Sequence, residues 1–447
     1  MKSVRLLPRS FAGLILLAVA ALLPSQANAN LYFNTASGNW DNPDNWDEKT
    51  YSGPPDFTTG YQNANAVPDA NTSATIREGR TANLSGSGSA FIVKVGAYDD
   101  TYAPTSGTLN ITGGNLLVYD SEINYGGAIT VSGGSLFSSD PSTPHNSSLH
   151  VYDGALTITG PGLVQIGFNS VGSLYMEPSS GTATLNIGTG GTAGTLNAAR
   201  ILGNSSSVVN FNHTGSVTFD TLLTGNLSVT KSGSGTTSLT GSNVFSYNTV
   251  GIPDITENNY TGGTTINAGS LRADGGFSGA NSSLGTGAVT VNDGGTLSGN
   301  DYITGLTTIK DGGHLALGGS DVLRFDGGLI LEDGASLDFS LGGPTGFIVI
   351  GDGVFTAGGT ITVNLSDAGG FAENTPYILI SFDDADSFAN TAQFQLGTQI
   401  DGFTTVLSFD GNSLVATATV GAVPEPGTYA AFAGLGALVF AITRRRR

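Results

Sequence analysis

The sequence predicts an all-β chain: a right-handed parallel β-helix (β-solenoid) with N- and C-terminal caps, plus a hydrophobic helix at the C-terminus. Three observations lead there. Gly makes up 67 of 447 residues while Pro is only 16, so glycine is used for corners and not for a collagen-like period. Short segments alternate apolar and polar, as in Ala288-Val289-Thr290-Val291, and period two is the signature of a half-buried strand. A leucine follows a glycine-containing turn again and again, at 109, 116, 136, 156, 196, 271, 297, 315 and 337. A repeat of about 20 residues built from strands and glycine corners is a coil that stacks on its neighbours. The rival is an array of β-sandwiches, kept open by irregular spacing between residues 160 and 260.

Taken in order, residues 1–29 read as an export signal. Lys2, Arg5 and Arg9 precede an apolar run at 11–23, and Ala27-Asn28-Ala29 is a small-x-small cleavage site. This implies passage through the Sec export machinery. Residues 30–85 hold both tryptophans, Trp40 and Trp46. Two readings stay open for them. Exposed rings would make carbohydrate contact, and buried rings would cap the open apolar end of a repeat stack; the cap is preferred. Residues 86–345 carry the repeats. Val289 and Val291 are expected inside, with Thr290 and Asn292 outside. Residues 346–421 contain longer, aromatic-rich strands and read as a closing cap that protects the last edge. In the tail at 422–447, Pro424, Glu425 and Pro426 are followed by an apolar run at 429–442 and then Arg444, Arg445, Arg446 and Arg447. That run is shorter than the ~20 residues of a comfortable helical span, and the arginines would stay on the cytoplasmic side.

Two stretches resemble known families. Asn259-Tyr260-Thr261-Gly262-Gly263-Thr264-Thr265-Ile266-Asn267-Ala268-Gly269-Ser270-Leu271, with Ser283-Leu284-Gly285-Thr286-Gly287-Ala288-Val289 and Gly294-Gly295-Thr296-Leu297, is similar to the autotransporter-associated β-strand repeat. That resemblance implies a passenger-type β-helix on a bacterial surface. The amphipathic strands of a membrane barrel are not expected after Leu337, so self-translocation is not. The order Pro-Glu-Pro, apolar run, arginine cluster resembles the PEP-CTERM sorting signal. It implies that the C-terminal helix is a sorting helix, recognised by an exosortase-type membrane protease through Pro424, Glu425 and Pro426. Membrane contact through the tail would then be transient, or retained as an anchor. Delivery would be to the cell surface or extracellular matrix of a Gram-negative-type bacterium.

Chemistry is hard to find. There is no Cys, so thiolate metal sites and disulfides are excluded. The formal charge is −19, which disfavours nucleic acid as a partner. His145, His150, His213 and His314 show no metal-ligand spacing, and His314 reads as an exposed turn residue. No G-x-S-x-G elbow and no P-loop lysine occur. Asp383, Asp384 and Asp386 cluster in a loop. Asp321, Asp326, Glu332 and Asp333 spread over two coils near Arg324 and Lys310. Calcium at either cluster is the one cofactor left open, and no catalytic residues are expected. The expectation is a non-enzymatic exported protein with a structural or adhesive role. The alternative is a polysaccharide-binding or polysaccharide-cleaving β-helix, with a groove that holds paired carboxylates and a basic residue. Extracellular polysaccharide stays open as a partner.

Overall fold

The computed structural model describes residues 29–51, 59–139, 147–167, 172–241, 258–276, 282–342, 346–383 and 393–420. The export signal, the tail at 422–447, His145, Asp384 and Asp386 lie outside them. The chain divides into two compact units, residues 1–265 with 283–287, and residues 266–282 with 288–447.

In the first unit parallel strands stack in columns. One column runs through Arg80–Leu84, Gly107–Ile111, Gly127–Val131, Gly154–Ile158, Ala183–Ile187, Ser207–Phe211 and Ser228–Lys231. Its register puts Leu109 beside Ile129, then Leu156, Leu185, Val209 and Val229. All six are buried. This is the physical meaning of the alternation: inward residues form a ladder, and outward residues form polar ladders of their own. Asn110 donates to Asn83 at 2.9 Å and Asn210 to Asn186 at 3.2 Å. A second column contains Thr72–Ile76, Gly88–Val95, Asn115–Ile123, Ser148–Val151, Ser173–Met176, Arg200–Gly203 and Leu222–Gly225. Asn115–Ile123 bends and also pairs with Ser135–Ser138, which starts a third column. Each coil is therefore a strand, a corner, a strand, a corner and a strand. This is a parallel β-solenoid.

One expected spacing mixes columns. Leu116 does pair with Leu136, but Leu156 belongs to the column of Ile129. The neighbour of Leu136 is Val164. Coils with several strands place more than one leucine per turn, so equal spacing in sequence does not fix the column.

At the front of this unit the expected cap is woven into the stack. Ala29–Phe33 pairs in parallel with Thr72–Ile76, and Ser37–Asn39 with Arg80–Leu84. Trp46–Tyr51 and Thr59–Asn63 then turn antiparallel and close the edge. Trp40 is 1% exposed and Trp46 0%. Trp46 stacks edge-on against Phe33 at 5.1 Å and Trp40 at 5.0 Å, and its indole nitrogen donates to the Trp40 carbonyl at 2.8 Å. A ring with no open face cannot stack on a sugar. Of the two readings left open for Trp40 and Trp46, carbohydrate contact loses its support, and the rings serve packing.

The second unit repeats the coil rule more regularly. Gly269–Ala273, Gly295–Gly299, His314–Leu317, Ser336–Leu341 and Ile361–Asp367 lie side by side in parallel. Leu271, Leu297, Leu315, Leu337 and Val363 occupy one register position and are all buried. Val289 and Val291 point inward as expected. The boundary expected at 345 is not a break in the coils. Phe347–Ile350 pairs in parallel with Val322–Phe325, and parallel pairing continues to Phe394–Leu396. Closure comes later, where Pro376–Phe382, Ser413–Val420 and Phe403–Asp410 pair antiparallel.

Candidate functional site

The outward face of the leucine ladder in the second unit forms a groove of about 900 Å³. Its geometry follows from the alternation. With Leu271 and Leu337 turned in, Ser270, Arg272 and Asp338 must turn out. A turn at Gly318-Gly319-Ser320-Asp321 folds along the groove, closed by the Asp321 amide on the Gly318 carbonyl at 3.1 Å. Gly319 sits at φ +61° there, a conformation that favours glycine.

Arg272 is gripped from two sides. Its Nη1 and Nη2 donate to the two oxygens of Asp321 at 3.2 and 3.0 Å, and its Nε and Nη2 donate to Asp274 at 3.2 and 3.1 Å. These carboxylates, Asp321 foremost, hold the guanidinium above even its usual high range. Asp338 collects three partners. His314 Nδ1 lies 2.7 Å from its Oδ2, while Ser336 Oγ and Asn364 Nδ2 donate to Oδ1 at 3.0 and 2.7 Å. The groove thus offers hydroxyls, one amide, two carboxylates and one fixed cation. That donor and acceptor set suits a polyhydroxylated ligand.

The acidic residues singled out in the sequence separate. Asp321 goes to Arg272. Asp326 and Asp383 both pair with Arg324, each at 2.7 Å. Asp333 accepts from the Thr360 amide at 2.7 Å. Calcium at Asp321, Asp326, Asp333 or Asp383 would have to displace such partners, and among the described residues no group of three or more His, Asp or Glu is gathered for a metal ion. His314 opens the strand His314–Leu317 and is half-buried on Asp338, which corrects its reading as an exposed turn residue. His150 is stacked between Tyr152 and Tyr175 at 5.3 and 4.9 Å. His213 is fully buried, 2.8 Å from the Thr237 hydroxyl. The tail residues Pro424, Glu425, Pro426 and Arg444 to Arg447 lie outside the described residues. No helix among the described residues is long and apolar enough to cross a membrane.

Arg272, Asp338 and Asn364 were not singled out from the sequence. A signal for two of them existed. Arg272 and Asp338 each follow a leucine of the ladder by one position, so aligning Leu271 and Leu337 as one column would have placed both on the outward face.

Comparison with known proteins supports both ends of this reading. Residues 422–447 match the PEP-CTERM protein-sorting motif. A stretch of 109 residues is 40% identical to the adhesin BmaC autotransporter of Brucella suis biovar 1 (strain 1330), covering 24% of this chain and 3% of that protein. The chain therefore spans only a small part of that relative's length. It is a β-solenoid protein with autotransporter-type features that carries a PEP-CTERM protein-sorting motif at residues 422–447.

Proposed function

We propose that this is an exported, non-catalytic surface or matrix protein, structural or adhesive in role, with coils wound right-handed. The sorting motif at 422–447 carries the reading. Such a motif implies recognition by an exosortase-type protease, with Pro424, Glu425 and Pro426 as the recognised residues and Arg444 to Arg447 as the cytoplasmic stop. The parallel coils supply the rest, because they turn a long chain into a ladder-bonded scaffold without disulfides. The right hand follows the strong preference of crossover connections between parallel strands. The similarity to an adhesin supports the adhesive side. Export through the Sec machinery, cleavage after Ala29 and a Gram-negative-type envelope belong to the same proposal.

Cell fractionation with mass determination of the mature C-terminus tests it. The expected product lies at the surface or in the matrix and lacks the arginines. Replacing Glu425 with Ala should leave it in the inner membrane with its tail intact. Wild-type protein that stays there with an intact tail would overturn the reading.

A second reading, a polysaccharide-active protein, is favoured by one observation. Asp321, Asp338 and Arg272 line one groove, and His314 bonds to Asp338. It requires release of oligosaccharide from a polymer such as pectate or alginate, abolished in Asp338→Asn. Without such release the groove is a surface and not an active site.

A further inference from the structure

We infer that a corner insertion in the first unit, with the corner next to it, is a tyrosine platform that stacks on a neutral polysaccharide. The inference starts from a departure from the repeat. After Asn115–Ile123 the corner is residues 124–126, but after Gly88–Val95 it is residues 96–106. Insertions into solenoid coils project from one face, and specific contacts are commonly placed there. This one carries Tyr98 and Tyr102, and the adjoining corner carries Tyr125. Tyr98 lies 4.7 Å from Tyr125, ring to ring. Tyr102 is 86% exposed and Tyr98 49%.

The insertion is built, and built at a cost. Ala97–Tyr98 and Pro104–Thr105 pair as a small hairpin. Asp99 closes its tip, accepting from the Thr101 amide and hydroxyl and the Ala103 amide at 2.8, 2.7 and 2.9 Å. Asp100 ties it to the body, accepting from Lys49 at 3.0 Å, Tyr61 at 2.8 Å and Arg77 at 3.2 Å. Arg77 also donates to the Tyr98 carbonyl. Tyr102 and Tyr125 sit at φ +61° and +52°. Bulky residues rarely occupy that region, and glycine or asparagine would enter it more cheaply. Packing does not account for Tyr102, because its ring is in water. A strained residue held on a tethered hairpin with its ring exposed is arranged to meet something else.

The chemistry selects the occupant. A phenol offers an apolar face with a hydroxyl on its rim, which matches the C–H face and hydroxyl edge of a sugar ring. Asp99 adds a carboxylate at the same tip. Lys49 and Arg77 are already engaged by Asp100. With a formal charge of −19 on the chain, a polyanion would be repelled. A neutral glycan fits; an acidic one does not. This contact deepens the adhesive role proposed above and rests on it, but it is separate from the route of export.

Affinity electrophoresis of the full chain in gels containing laminarin, xylan, soluble starch or alginate tests the inference. At least one neutral glycan should retard the protein, and alginate should not. Tyr102→Ala should weaken retardation about tenfold or more. Tyr102→Trp should preserve it, and the new indole should report binding by fluorescence. Circular dichroism should be unchanged in both variants. Lack of retardation by all three neutral glycans, or retardation that survives Tyr98→Ala/Tyr102→Ala, would overturn the platform while leaving the sorting proposal intact. Retardation by alginate alone would overturn it too.

Discussion

The two units obey one coil rule but place their departures from it differently. In the second unit one inward column is leucine after leucine, and the row outside it carries Arg272, Asp338 and Asn364 along a groove, with His314 on Asp338; on another strand a carboxylate turns inward, Asp301 beside Leu323. In the first unit the inward departure is a cation, and the corners depart as well. Lys231 occupies an inward position, next in register to Phe211, and is 0% exposed. Four of the five described non-glycine residues at positive φ, Asn65, Glu78, Tyr102 and Tyr125, belong to the first unit. A regular leucine column lets the surface outside it carry the polar chemistry. An irregular interior stores cost, and that cost has to be repaid by packing nearby. The Trp40, Trp46 and Phe33 cluster is where the first unit concentrates that packing.

The largest expected effect breaks the comparison at those two anchors. Trp46→Ala should cost about 3–5 kcal/mol and Leu315→Ala about 2–5 kcal/mol, because each leaves a void that a hydrogen-bonded stack cannot collapse. Urea unfolding of the full chain measures both. If Trp46→Ala costs under about 1 kcal/mol, the front end is not an anchor, and the contrast with the leucine ladder fails.

Next in size is a gain. Burial pushes the Lys231 ammonium down to about 8, and its Nζ donates to the Gly233 carbonyl. Its folded value lies below its unfolded value, so folding carries the full cost of the buried charge below about pH 8. Stability then rises between about pH 8 and the ordinary lysine value of 10.5. Lys231→Met keeps the stem and removes the charge. It should raise stability at pH 7 by up to about 3 kcal/mol and flatten that alkaline rise. Thermal unfolding from pH 7 to 10 reads both. A loss of stability at pH 7 would mean that the ammonium is well solvated by its surroundings.

These effects show why part of the molecule was legible beforehand and part was not. Alternation and glycine corners are local, so Val289, Val291 and the leucines could be assigned inward from the sequence. The columns are not local. Leu116, Leu136 and Leu156 look alike in sequence, yet only the first two share a column, because coil length varies with the corners. The tryptophans were legible as a pair needing an explanation, and their burial decided between two explanations. The groove was harder, since Arg272 and Asp321 are 49 positions apart and meet only after intervening coils are stacked. Lys231 gave no warning: an isolated lysine at the end of Ser228–Lys231 reads as a solvated strand end.

A smaller effect concerns the tether of the corner insertion. Burial raises the Asp100 carboxyl, but hydrogen bonds from Lys49, Tyr61 and Arg77 outweigh it and hold it at about 2. A depressed carboxylate stabilises the fold above its unfolded value, and this stabilisation is lost as pH falls through the folded one. The window therefore lies between about 4 and about 2. Asp100 is more than a third exposed, so solvent screening limits its worth to about 1 kcal/mol. Asp100→Asn should remove that much and flatten this part of the acid limb. Equal acid sensitivity in the variant would show that the hairpin is held by its backbone pairing alone.

The smallest effect is in the groove, and it separates scaffold from function. The His314 and Asp338 side chains are 39% and 31% exposed, so their pairing should contribute about 0–1 kcal/mol. His314→Gln keeps a hydrogen-bonding side chain near Asp338 and should shift the urea midpoint hardly at all. Losing His314 should therefore be cheap for the coils, unlike losing Leu315 on the same strand. If His314→Gln unfolds the protein as Leu315→Ala does, the outward row is structural and the groove cannot be varied independently of the ladder beneath it. If stability holds while surface adhesion or polymer release falls, the outward face of the second unit carries function that its inward face only supports.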